Sequence, residues 1–126
     1  MALRSTLGRV RGLGSAKEGV AHWWAQRLTA LALVPLTLWF VVGVVGLAGA
    51  ERDALVAWVA APWNATLMIL LITATFHHAQ LGVQVVIEDY VHDEGVKLLS
   101  IAAVKGLAIL LGLGAIVAVL KLAIGG

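Results

Sequence analysis

Three runs of apolar residues dominate the chain, at about residues 28–47, 65–87 and 98–120, each long enough to cross ~30 Å of hydrocarbon as a helix. Polar positions are pushed into an N-terminal head, two short connections and a stub of a tail. The pattern predicts an all-α membrane protein with three transmembrane helices running up, down and up. It divides into a cytoplasmic arm at residues 1–27 and an anchor at 28–126. The middle run breaks its own rule near its end: the stretch HHAQLGVQVVIEDY, from His77 to Tyr90, puts two histidines, two glutamines and two carboxylates where lipid is expected.

Composition agrees with the pattern. Of 126 residues, 61% are hydrophobic and 13% charged, and the mean hydropathy is +0.98, well outside the range of an ordinary soluble domain. Too little chain remains outside lipid to fold a soluble catalytic domain, so any chemistry lies within the membrane or at its edge. There is no cysteine, which excludes a thiolate-bound iron–sulfur cluster and a disulfide in this chain. If the protein takes part in electron transfer, a partner brings the electrons. No nucleic-acid partner is expected.

Where the charges lie sets the orientation. Arg4, Arg9, Arg11, Lys17 and Arg27 precede the first run against the single acid Glu18, whereas the first connection has Arg52 as its only base and the tail only Lys121. The positive-inside rule then places the N-terminus in the cytoplasm and Gly126 on the outer face. The head lacks the apolar centre of a secretory signal, and its Arg-rich, acid-poor character reads as a short arm of a protein in a bacterial inner membrane in preference to a mitochondrial transit peptide. Trp23, Trp24, Trp58 and Trp63 fall near the expected boundaries, where indoles anchor helices. Pro35 predicts a mild kink in the first span.

Ionisable groups inside a span are costly and face the protein interior or a partner. His78 and Asp89 are eleven positions apart, about 1100° of helical turn, so they share one face about 16 Å apart along the axis. Gly82 falls between them. A mid-membrane imidazole beside a bare glycine suits a haem, although Gly82 equally suits close helix packing. Adjacent His77 and His78 point ~100° apart and cannot clamp one iron. His22 and His92 sit at the membrane edge, so a second axial ligand is expected from another subunit.

At the cytoplasmic end of the same helix, Asp89 and Tyr90 pair a carboxylate with a phenol able to hydrogen-bond a quinone carbonyl and pass protons; acids at a span end also simply stay in water. Arg27, at the start of span one, is expected at the depth of Asp89, where it pairs with that acid or with an anion such as a haem propionate, or snorkels to headgroups. Gln80, Gln84 and Glu88 form a row suited to bonds between helices.

The stretch HAQLGVQVVIEDYVH, with His78 followed eleven positions later by Asp89 and then Tyr90, resembles the signature of the family of hydrophobic membrane anchors of succinate dehydrogenase, respiratory complex II; HWWAQRLTALALVPL resembles the start of the first helix in that family. The likeness covers essentially the whole chain. It implies a haem b shared with a cytochrome b556 anchor subunit, one axial histidine from each, and ubiquinone bound near the cytoplasmic surface, where the flavoprotein and iron–sulfur subunits dock. Carried over by position, His78 is the axial ligand, Tyr90 the phenol that bonds quinone, Asp89 the adjacent acid, and Arg27 the basic residue near haem propionate or quinone. His77 has no counterpart. The rival readings are a haem-bearing membrane subunit of another dehydrogenase, which would need two histidines at one depth on separate helices, and a cofactor-free assembly subunit or small proton channel.

Overall fold

The structure, a computed structural model, describes residues 6, 7 and 16–125. Arg4, Arg9 and Arg11, on which much of the orientation argument rests, lie outside the described residues. Four helices follow one another: α1 (Ala16–Gly46), α2 (Arg52–Ala60), α3 (Pro62–Tyr90) and α4 (Glu94–Gly125). Three of them are long and apolar enough to cross a membrane. The spans expected at 65–87 and 98–120 lie inside α3 and α4, while the one expected at 28–47 is the C-terminal two-thirds of α1 and runs one residue past its end.

Local chemistry sets the helix ends. Asp93 caps α4: its carboxylate accepts from the Val96 N–H at 2.9 Å and its carbonyl from Lys97 N–H at 2.8 Å. Glu94 in the first turn adds a favourable charge at the positive end of the helix dipole. Pro62 occupies the first turn of α3, where a missing N–H costs nothing. After α1 the chain turns through Gly49, whose φ of 80° lies in the left-handed region open to glycine. Pro35 lies inside α1, which continues helically through it.

The connection between the first two spans was expected as a loop and instead contains α2. Its nine residues, RDALVAWVA, carry Asp53 in the first turn and a tryptophan that does more than mark a boundary. Trp58 stacks on Trp39 of α1, with centroids 5.2 Å apart and planes 19° from parallel. The same ring covers Gly43 so closely that a Cβ there would overlap it. Asn64 donates to the Trp58 carbonyl at 2.8 Å and fastens the turn into α3. Trp23, Trp24 and Trp63, by contrast, are exposed.

α3 packs against both α1 and α4, which do not pack against each other. The arrangement is therefore a row with α3 in the middle, with a groove left open between its flanking helices. Small residues take part in the contacts, as in helices in lipid: Ala65 and Ala74 are buried beside the larger Leu81 and Val119, and Phe76 lies 3.5 Å from the Cβ position of Gly112. Large apolar side chains point outward, Val42, Leu99 and Ile124 among them. In water such surface would drive aggregation; in a bilayer it is the lipid-facing coat.

Candidate functional site

His78 is half-buried on the face of α3 that meets α1. Its Nδ1 lies 3.1 Å from the hydroxyl of Thr29, the only hydrogen bond joining side chains of two different helices among the described residues. That hydroxyl is itself tied to its own helix, 2.7 Å from the Ala25 carbonyl and 3.0 Å from the Gln26 carbonyl. Among the described residues His78 Nε2 has no hydrogen-bond partner, and it is not one of the buried unpartnered atoms, so this nitrogen is not sealed inside the helix pair. Sequence reasoning overlooked Thr29.

One turn along, the Cβ position of Gly82 lies 3.6 Å from Gln26 Nε2. Glycine here meets a side chain of α1 at ordinary contact distance. The pairs Thr29 with His78 and Gln26 with Gly82 count in opposite directions, which fixes the register of the two helices. Arg27 therefore stands at the level of about Leu81, some eight residues or ~12 Å along the axis from Asp89. Among the described residues Arg27 does not pair with Asp89, one of the alternatives open to it. Arg27 instead lies over the Trp23 ring, 5.1 Å from its centroid, and among the described residues the ion pair formed is Lys97–Glu94, at 3.4 Å. The expectation failed because depth was measured from the hydropathy edge of a span, whereas side-chain contacts set the register.

His77 points elsewhere. It is exposed, its Nδ1 is 3.4 Å from Gln80 Nε2 on its own helix, and it borders the groove between α1 and α4. That groove encloses about 580 Å³ and is lined by His22, His77, Gln80, Gln84, Glu88 and Lys105 as its polar members. Gln84 donates to Glu88 at 2.8 Å. Among the described residues the glutamine and glutamate row thus bonds along α3 instead of between helices. His22 Nε2, Gln26 Oε1 and Gln80 Oε1 are buried without partners among the described residues.

Asp89 and Tyr90 close α3 at its far end. Both are exposed, Tyr90 at 77%, and neither side chain has a hydrogen-bond partner among the described residues. A phenol and a carboxylate free of intramolecular bonds keep their full donor and acceptor capacity for a ligand.

The sequence profile of the succinate dehydrogenase/fumarate reductase transmembrane subunit matches residues 1–120. The chain belongs to this family. A succinate dehydrogenase hydrophobic membrane anchor subunit of Rickettsia bellii (strain RML369-C) is 34% identical over 116 residues, 92% of this chain and 93% of the relative. The membrane anchor subunit of Reclinomonas americana succinate dehydrogenase is 33% identical over 96 residues, 74% and 80% of the two chains. That of Paracoccus denitrificans is 35% identical over 79 residues, 63% and 61%. The three long apolar helices and these relatives together make the chain a multi-pass membrane anchor subunit of the succinate dehydrogenase type.

Proposed function

We propose that this anchor subunit supplies His78 as one axial ligand of a haem b and Asp89 with Tyr90 to a ubiquinone-reducing site, in a bacterial inner membrane. The observation that carries the reading is the state of His78: a histidine within a span, anchored through one ring nitrogen to Thr29 and, among the described residues, unpartnered at the other. Histidines within membrane spans are costly and pair with a partner or face the protein interior. This one is held by Nδ1 while Nε2 is not sealed inside the helix pair.

The residues fit a haem. Neutral imidazole is the right donor for haem iron, and the ring is braced from behind as metal-ligating histidines are. When bound, the haem supplies one-electron redox chemistry. Among the described residues no second histidine faces His78 at its depth, so a second ligand to the haem iron would be supplied by a cytochrome b556 partner. Arg27, about three residues nearer the Asp89 end than His78, is better placed for a propionate than for a quinone beside Tyr90. At the quinone, the Tyr90 O–H donates to a carbonyl oxygen and orients the ring, while Asp89 exchanges protons with the cytoplasmic water. Electrons reach this site from the flavoprotein and iron–sulfur subunits, since this chain has no redox-active thiol.

Two measurements test the reading. Produced without its partners, the chain should hold no six-coordinate haem, whereas with the cytochrome subunit it should; a low-spin six-coordinate species from this chain alone refutes the shared ligation. The three helices run up, down and up from a cytoplasmic N-terminus, so a reporter fused after Gly126 should be active only on the outer face. Cytoplasmic activity of that fusion would break this topology.

A further inference from the structure

We infer that Thr29 is a positioning residue for His78, selecting the tautomer that leaves Nε2 unprotonated and fixing the direction in which that nitrogen points; this rests on the reading of His78 as a haem ligand. A threonine hydroxyl has one proton and two lone pairs, so a single hydrogen has to be allocated. Around Thr29 Oγ1 stand three polar atoms: the Ala25 carbonyl oxygen at 2.7 Å, the Gln26 carbonyl oxygen at 3.0 Å and His78 Nδ1 at 3.1 Å. The two carbonyls can only accept.

If the hydroxyl proton went to Nδ1, two carbonyl oxygens would face bare lone pairs at 2.7 and 3.0 Å, an uncompensated repulsion at hydrogen-bonding distance. The proton therefore goes to the carbonyls, shared or directed to Ala25. Oγ1 is left as an acceptor towards His78, and Nδ1 must carry the hydrogen that it accepts. In a neutral imidazole with Nδ1 protonated, Nε2 holds the lone pair. The tautomer required of an Nε2 metal ligand is thus present before any metal arrives.

The hydroxyl is rigid enough to act as a brace. Threonine is β-branched and its Oγ1 is pinned to the turn behind it, so the acceptor is fixed relative to the α1 backbone. The imidazole inherits that fixation across the helix interface. With this bond the ring has a defined azimuth; without it, rotation about χ2 and the alternative tautomer become accessible. Donation from Nδ1–H also raises the electron density at Nε2, which favours the oxidised iron.

Thr29→Val keeps the shape and removes the acceptor, and Thr29→Ser keeps the acceptor and removes the methyl. In the purified complex, Thr29→Val should weaken haem retention about 10- to 100-fold, the range typical for loss of a bracing partner behind a metal ligand. The haem it does keep should have a midpoint potential shifted upward. Thr29→Ser should restore both towards the parent. Should Thr29→Val not assemble, Thr29→Ala carries the same test without steric demand. A parental potential and parental haem retention in the variant lacking the hydroxyl would overturn the inference, as would a Ser variant behaving like Val. His78→Ala, run alongside, separates the two claims: if its haem spectrum is unchanged, the ligand assignment itself fails, whereas loss of haem there with no effect of Thr29→Val defeats the Thr29 role alone.

Discussion

His78→Ala is expected to abolish the low-spin haem of the assembled complex, leaving it haem-free or with a converted, five-coordinate spectrum, while His77→Ala keeps parental haem. The contrast follows from where the two rings sit. His78 is bonded across the helix interface to Thr29, with Nε2 unpartnered among the described residues; His77 is exposed and hydrogen-bonds only Gln80 of its own helix. The variant should still fold. Thr29 retains its bond to the Ala25 carbonyl when the imidazole is removed, so no hydroxyl is orphaned, and the space left behind borders an open face. Reduced-minus-oxidised spectra of the two variants check this, and an unchanged low-spin spectrum after His78→Ala would sink the ligand assignment.

The second large effect is expected at the quinone. Tyr90→Phe should impair succinate-to-quinone activity at limiting quinone while oxidation of succinate by a water-soluble dye, which takes electrons upstream, survives. Loss of one neutral hydrogen bond costs about 0.5–1.5 kcal/mol in binding, up to about tenfold in affinity, and more in rate where the bond strengthens as charge develops on the quinone oxygen. Tyr90 is well exposed and its hydroxyl has no hydrogen-bond partner among the described residues, so its replacement removes no internal hydrogen bond that would confuse the result. Asp89→Asn should act in the same direction. Haem content should persist in both, because His78 lies about 16 Å away along α3. A parental rate of quinone reduction in Tyr90→Phe would return the phenol to the role of an interfacial anchor.

The three spans were legible because each is a long unbroken apolar run, and only a helix satisfies its backbone in lipid. Their ends were less so. α1 begins at Ala16, well before the apolar run, and α4 begins where Asp93 can cap it; hydropathy reports where lipid is tolerated, not where hydrogen bonding starts. α2 escaped notice because nine residues with a single acid in the first turn carry little helical pattern, and what holds them is Trp58 against Trp39 and Gly43. At the site, the polar run from His77 to Tyr90 showed which helix carries chemistry. Thr29 left no such trace: one of two threonines in α1, 49 positions from its partner, it becomes visible only when the register of α1 on α3 is known. The same register moved Arg27 away from Asp89. Lys105 likewise joined the polar groove only through the placement of α4 beside α3.

Anchoring of a succinate-oxidising complex and half of the ligation of its haem should therefore travel together with this chain. An optical spectrum of the assembly captured through an affinity tag on the chain, recorded before and after adding succinate, reads both at once. The expected result is a b-type haem in the captured material, the flavoprotein and iron–sulfur subunits alongside it, and reduction of added ubiquinone when succinate is supplied. Captured material that lacks both haem and succinate-dependent quinone reduction would contradict it.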